Sequence, residues 1–346
     1  MKNKLLLTTA LAGLVAVSGA HAETKVSGNL EQTWKSISDD ADAGAASQEG
    51  FGAEYNIGLS SSSELDNGMS ASFGFNMEGG SASGTVNKDS HYLTIGLNDA
   101  MSLTFGQDNG TNLSGTAVPH ISDTASTVVS GGFHNIGIVR SDGHNDQHIR
   151  MDVNGMGGAL TLRYVPNDGG SNTDHSTVDA ESANSAYDVI YKGSLGVDGL
   201  SVLAGVHSAD QNGSTVDTKY RVFGASYNFG SFSIGAERAN SEGSVSTARS
   251  GTDVTATGAG EKDEMQSDMI GITFAASDKL SFGLSRVETE YEDAGVKDAQ
   301  EEETIMLGVG YSLGGLAVDI NYAQTDNYGF TAQDRDTLQI RTIQKF

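Results

Sequence analysis

The sequence predicts an all-β protein, a transmembrane antiparallel β-barrel of about sixteen strands, on three observations. Apolar and small or polar residues alternate with period two along segment after segment, which is strand patterning. The connections between those segments alternate between short and long from end to end. The composition combines 45 glycines and two prolines with only 37% hydrophobic residues, too little for a thick water-excluding core.

The elements follow in chain order. Lys2 and Lys4 precede the apolar run "LLLTTALAGLVAV" (5–17) and the small-residue stretch "SGAHA", the pattern of a secretory signal peptide over 1–22 cleaved after Ala22. The rival reading, a membrane anchor helix, fails on length, because the run falls short of the roughly 20 apolar residues a spanning helix needs. The mature domain is then 23–346. No cysteine is present, which excludes disulfides, thiolate metal sites and a lipoprotein anchor. Lys and Arg number 20 against 45 Asp and Glu, a net charge of −25, and loss of two lysines with the leader makes it −27. Such acidity argues against a nucleic-acid partner.

Alternation places strands at about 25–36, 51–61, 69–78, 90–97, 101–107, 147–154, 158–166, 184–193, 199–208, 217–228, 231–240, 264–276, 279–291, 302–312, 315–325 and 335–346. In "GLAVDINYA" (315–323), Leu316, Val318, Ile320 and Tyr322 share one face. In "MLGVGY" (306–311), Leu307, Val309 and Tyr311 do so, with glycines between them. Most segments have the length that crosses a bilayer at a tilt, about 9–11 residues. "NDA", "GMG", "SLGVDG", "NFG", "SD" and "LGG" are tight turns suited to positive φ. Long polar connections stand at every other junction, the longest over 108–146. An antiparallel meander with one rim of short periplasmic turns and one of long extracellular loops produces that order. An even strand count lets the last strand, "LQIRTIQKF" (338–346), close the sheet against the first.

Taken together, the leader, the "TKVSGNLEQTW" first strand, the units "YNFGSFSIG" and "YSLGGLAVDI", the absence of Cys and the final Phe346 resemble a Gram-negative general porin of alphaproteobacterial type. The resemblance implies an outer-membrane, water-filled channel for passive diffusion of small hydrophilic solutes and ions, and no enzymatic activity. It implies a homotrimer, contact with outer-membrane lipids and lipopolysaccharide, and a terminal Phe346 read by the barrel-assembly machinery. It also implies that the third connection folds inward, with acidic residues facing a basic wall. By strand parity the wall candidates are Arg150, Arg163, Lys192, Arg341 and Lys345, with Lys35 on the first strand, alongside His148, Asp152 and Asp188. Asp123 and Asp108 are the acidic candidates. The acidic mature chain predicts a preference for cations.

Two other chemistries are weighed. His134, His144 and His148 with Asp142 and Asp146 match no compact ligand spacing, so a transition-metal site is not expected. Weak Ca²⁺ or Mg²⁺ binding suits acidic loops such as "ETEYEDAGVKDAQEEE" (288–303). A barrel protease or phospholipase needs a catalytic Ser, His and acid converging at one rim; His148 and His207 are the residues to substitute in testing it. A structural or adhesion barrel is the further alternative.

Overall fold

A computed structural model describes residues 23–39, 48–65, 67–80, 86–107, 118–121, 147–166, 185–209, 218–243, 263–292, 301–328 and 333–346. Among them are sixteen strands: β1 (Glu23–Asp39), β2 (Gln48–Glu64), β3 (Ser70–Gly80), β4 (Val86–Asn98), β5 (Met101–Gln107), β6 (His148–Gly155), β7 (Gly158–Val165) and β8 (Ala186–Gly193). The second half comprises β9 (Leu200–Ala209), β10 (Thr218–Phe229), β11 (Phe232–Gly243), β12 (Asp263–Ala275), β13 (Leu280–Glu292), β14 (Glu302–Ser312), β15 (Leu316–Asp326) and β16 (Arg335–Lys345). Each pairs antiparallel with its sequence neighbours, and β1 pairs with β16, so the sheet is a closed barrel without free edges. Every expected strand is present. β1 and β2 run to 17 residues each, well past the length expected.

The barrel is inside out relative to a soluble one. Outward rows expose large apolar side chains: Ile305 and Leu307 on β14, Phe282 and Leu284 on β13, Ile234 on β11, Ile320 on β15. Inward rows bury polar ones, including Ser267, Ser285, Thr289, Thr304, Asn321 and Gln339. Inward hydroxyls pair across strands, Ser267 with Thr289 at 2.6 Å and Thr304 with Thr325 at 2.9 Å. Exposed apolar surface of this extent is costly in water and is matched by the hydrocarbon of a bilayer.

The apolar band has two marked limits. Toward the short turns, an outward aromatic row stacks from Phe229 onto Phe232 (5.7 Å between ring centres) and from Phe232 onto Phe274 (4.7 Å). Tyr227 and Tyr311 extend it, forming an interfacial girdle. Toward the long loops, outward arginines appear. Arg238 grips Asp268 with two bonds of 2.6 Å, and Arg286 grips Glu303 at 2.7 and 2.9 Å. Tyr322, on the outward row of β15, stands at this upper limit and donates to Asp336 at 2.9 Å. Solvent screening makes such exposed pairs worth little in stability, so they mark where lipid gives way to headgroups and water.

The turn at Met156–Gly157 illustrates the short rim. Met156 and Gly157 have φ of 53° and 75°, the positive pair a two-residue hairpin requires. Gly157 also lies so near the next short turn that a Cβ there would stand 2.5 Å from the Gly196 nitrogen. At the seam, Phe346 exchanges backbone bonds with Gly28 (3.0 and 3.2 Å), and its ring covers the bare Gly28 on the outer face.

Candidate functional site

Chemistry available to a solute lies on the inward rows, and parity puts every described wall candidate there. Two basic groups face each other across the ring, one on β6–β8 and one at the β16–β1 seam. On β6, Arg150 donates through Nε to Asp152 Oδ2 at 2.8 Å, and Asp152 also accepts from Thr161 at 2.6 Å. Arg163 stands directly across from Arg150 on β7 and also directly across from Asp188 on β8. Its guanidinium donates to Asp188 Oδ2, and His207 Nδ1 meets Asp188 Oδ1 at 2.5 Å. All three side chains are at most 2% exposed. Arg163 is therefore aimed inward, as parity expects, but buried in the wall beside Asp188. Facing inward is not the same as facing water, and a buried guanidinium requires a carboxylate partner. Lys192, two inward positions nearer the short turn, is exposed in the lumen and within electrostatic reach of Glu237.

At the seam, Arg341 is flanked on both sides. It donates at 3.2 Å to Glu31 on β1 and at 3.2 Å to Asp319 on β15. Lys35 lies farther up, across from Gln339, and Lys345 stands exposed near the short-turn rim. The wall arginines are thus paired cations rather than a bare basic surface. Glu31 and Asp319 are the partners that sequence reasoning did not single out; their inward parity was the available signal.

Asp108, Asp123, Ala22, His134, His144, Asp142 and Asp146 lie outside the described residues. One short piece of the third connection is described, Val118–Ile121, and it lies inside the barrel. A methyl group built on inward Gly235 of β11 would stand 2.8 Å from Pro119, one on Gly271 of β12 would stand 2.6 Å from Val118, and one on Gly308 of β14 would stand 2.6 Å from Ile121. Val118 and Ile121 are buried there. At Val118–Ile121 the third connection therefore lies against the inner wall of β11–β14, as expected for an inward-folded third connection.

On the long-loop side, Glu288, Glu290 and Glu301 bring their carboxylate oxygens within 4.8 Å of one another. A hydrogen bond with Glu288, partial burial and the charges of Glu288 and Glu290 push Glu301, outside the strands, up to about 7, with Arg286 opposing. The native carboxyl takes up its proton at higher pH than the unfolded one. This contact therefore favours the folded loop below that midpoint, and the contribution is lost as pH rises through about 7. Carboxyl ¹³C NMR of Glu301 is expected to titrate near 7 in the native protein and in the ordinary carboxylate range in E288Q. An ordinary midpoint in both contradicts the contact.

A closed sixteen-strand barrel, apolar outside and holding part of its third connection against its inner wall, is the geometry of a channel. The Gram-negative porin family profile matches residues 8–342, nearly the whole chain. The chain belongs to the Gram-negative porin family.

The porin resides in the outer membrane and forms a channel across it. Its fold is shared by OmpT of Vibrio cholerae, an outer membrane protein, at a TM-score of 0.70 with 14% identity over 95% of this chain and 99% of that one. The trimer form of the same protein gives 0.61 with 14% identity over 94% and 99%. A variant of Rh. blastica porin gives 0.57 with 14% identity over 94% and 100%. At these identities the likeness is one of fold alone. No curated protein sequence matches the porin.

Proposed function

We propose that the porin passes small hydrophilic solutes and ions by passive diffusion, with a preference for cations. The observation that carries this is the pairing of the wall: Arg150, Arg163 and Arg341 are each held by carboxylates, so the excess of 45 acids over 20 bases is not offset by a bare basic lumen. Reversal potentials across a KCl gradient are expected to carry the sign of potassium selectivity, and clear chloride preference contradicts the reading.

The assembly proposed is a homotrimer associating through the outward faces near the termini. Outward positions of β1, such as Val26, Leu30 and Trp34, carry no paired charge like those of β11–β14, which supports that choice. Phe346 on the outer seam suits recognition by the assembly machinery. Among the described residues, weak Ca²⁺ or Mg²⁺ coordination is proposed at Glu288, Glu290 and Glu301, where a hard cation would meet oxygen ligands; added calcium then lowers the Glu301 midpoint.

A catalytic role is not proposed. Asp188 and His207 form the acid and base half of a hydrolase arrangement, but His207 Nε2 makes no hydrogen bond among the described residues, and Arg163 shares the carboxylate. That pattern supports a structural ion pair in the wall.

A further inference from the structure

Five inward glycines lie on four adjacent strands: Gly235, Gly271, Gly283, Gly308 and Gly310. Four of them form two directly opposed pairs, Gly235 with Gly271 and Gly283 with Gly308. Glycine weakens a strand, having no side chain to pack and more freedom to lose. A cluster in register is explained where another backbone approaches closely. Built methyl groups at four of these glycines would lie under 3.0 Å from Val118, Pro119 or Ile121, and the Gly271 methyl would meet the Pro119 carbonyl oxygen at 2.6 Å, a backbone atom that cannot swing aside. Inward Gly52 on β2, by contrast, has nothing within 4 Å, so the wall does not demand glycine as such.

The surroundings agree. The next inward positions toward the loops are Glu237, Met269, Ser285 and Met306, with Val287 one inward position further up β13, all buried. Apolar side chains on the inner wall of a water-filled channel are stable only where something dry covers them. Val118 and Ile121 supply apolar surface at that place.

We propose that the paired glycines of β11–β14 are a seat that fixes the third connection, and that contact at this seat sets the bore of the pore. The proposal rests on the channel reading for its effect on bore, but not for the seat itself. Val118 and Ile121 are the anchors, and Pro119 fixes the backbone φ between them.

The natural chain has no cysteine, so V118C/G271C carries the only two thiols. One Val118 methyl stands 2.6 Å from the Cβ position of Gly271, within reach of a disulfide. Full-length protein in outer-membrane vesicles is expected to cross-link nearly completely on mild oxidation, whether or not it conducts. G271V and G308V are expected to raise single-channel conductance about 1.5- to 2-fold by lifting the segment from the wall, while G52V leaves it unchanged. Should the wall variants fail to assemble, V118A/I121A keeps every strand intact and is expected to give the same rise. Absence of the cross-link in folded protein, or unchanged conductance in folded G271V, G308V and V118A/I121A, overturns the seat. A wild-type barrel that never conducts, while its V118C/G271C variant cross-links, defeats the channel reading instead.

Discussion

Replacing Asp188 with alanine is expected to cost the folded barrel about 3–5 kcal/mol, the penalty for stranding a buried charge. Arg163 and His207 both converge on this carboxylate, and none of the three side chains is more than 2% exposed. Water cannot replace the lost acceptor, so the guanidinium remains charged with nothing opposite it. Urea titration of the barrel refolded in lipid vesicles measures the loss. The double variant R163M/D188L is expected to recover most of it, because removing both charges removes the desolvation cost along with the attraction. A loss in D188A below about 1 kcal/mol, the value of an exposed pair, contradicts the burial.

The second large effect belongs to the outer surface. Leu307 lies mid-strand on β14, 53% exposed and flanked on its own row by Ile305 and Val309. L307R is expected to destabilise the barrel in vesicles by about 2–4 kcal/mol, the cost of an arginine facing the bilayer midplane. G52R, on an inward row with open space, is expected to be nearly neutral in stability. If both substitutions are neutral, the apolar face does not meet lipid.

Period-two patterning made the barrel legible before any coordinates. Leu307, Val309 and Tyr311, or Leu338 and Ile340, fix which face is apolar, and turns such as Met156–Gly157 fix where each strand reverses. Once parity is set, every described wall candidate is correctly aimed inward. Parity does not give partners, because partners depend on register and closure. Arg341 meets Glu31 across 310 residues of chain, through a seam that exists only once the barrel closes. Arg163 meets Asp188 only because β7 and β8 pair in one particular register. For the same reason the glycines of β11–β14 read in sequence as isolated spacers, while in the sheet they form one bare patch beneath Val118–Ile121. Charge on the outward rows was likewise hidden, since Arg238 and Arg286 violate the apolar pattern only at the level where the bilayer ends.

The measurement that bears most directly on the account is the current through purified, folded wild-type protein in a planar lipid bilayer. Discrete, ohmic conductance steps are predicted, reduced by hydrophilic polymers small enough to enter the lumen and unaffected by larger ones. A correctly folded barrel that inserts into the bilayer and produces no steps contradicts the central claim that this is an open, water-filled pore.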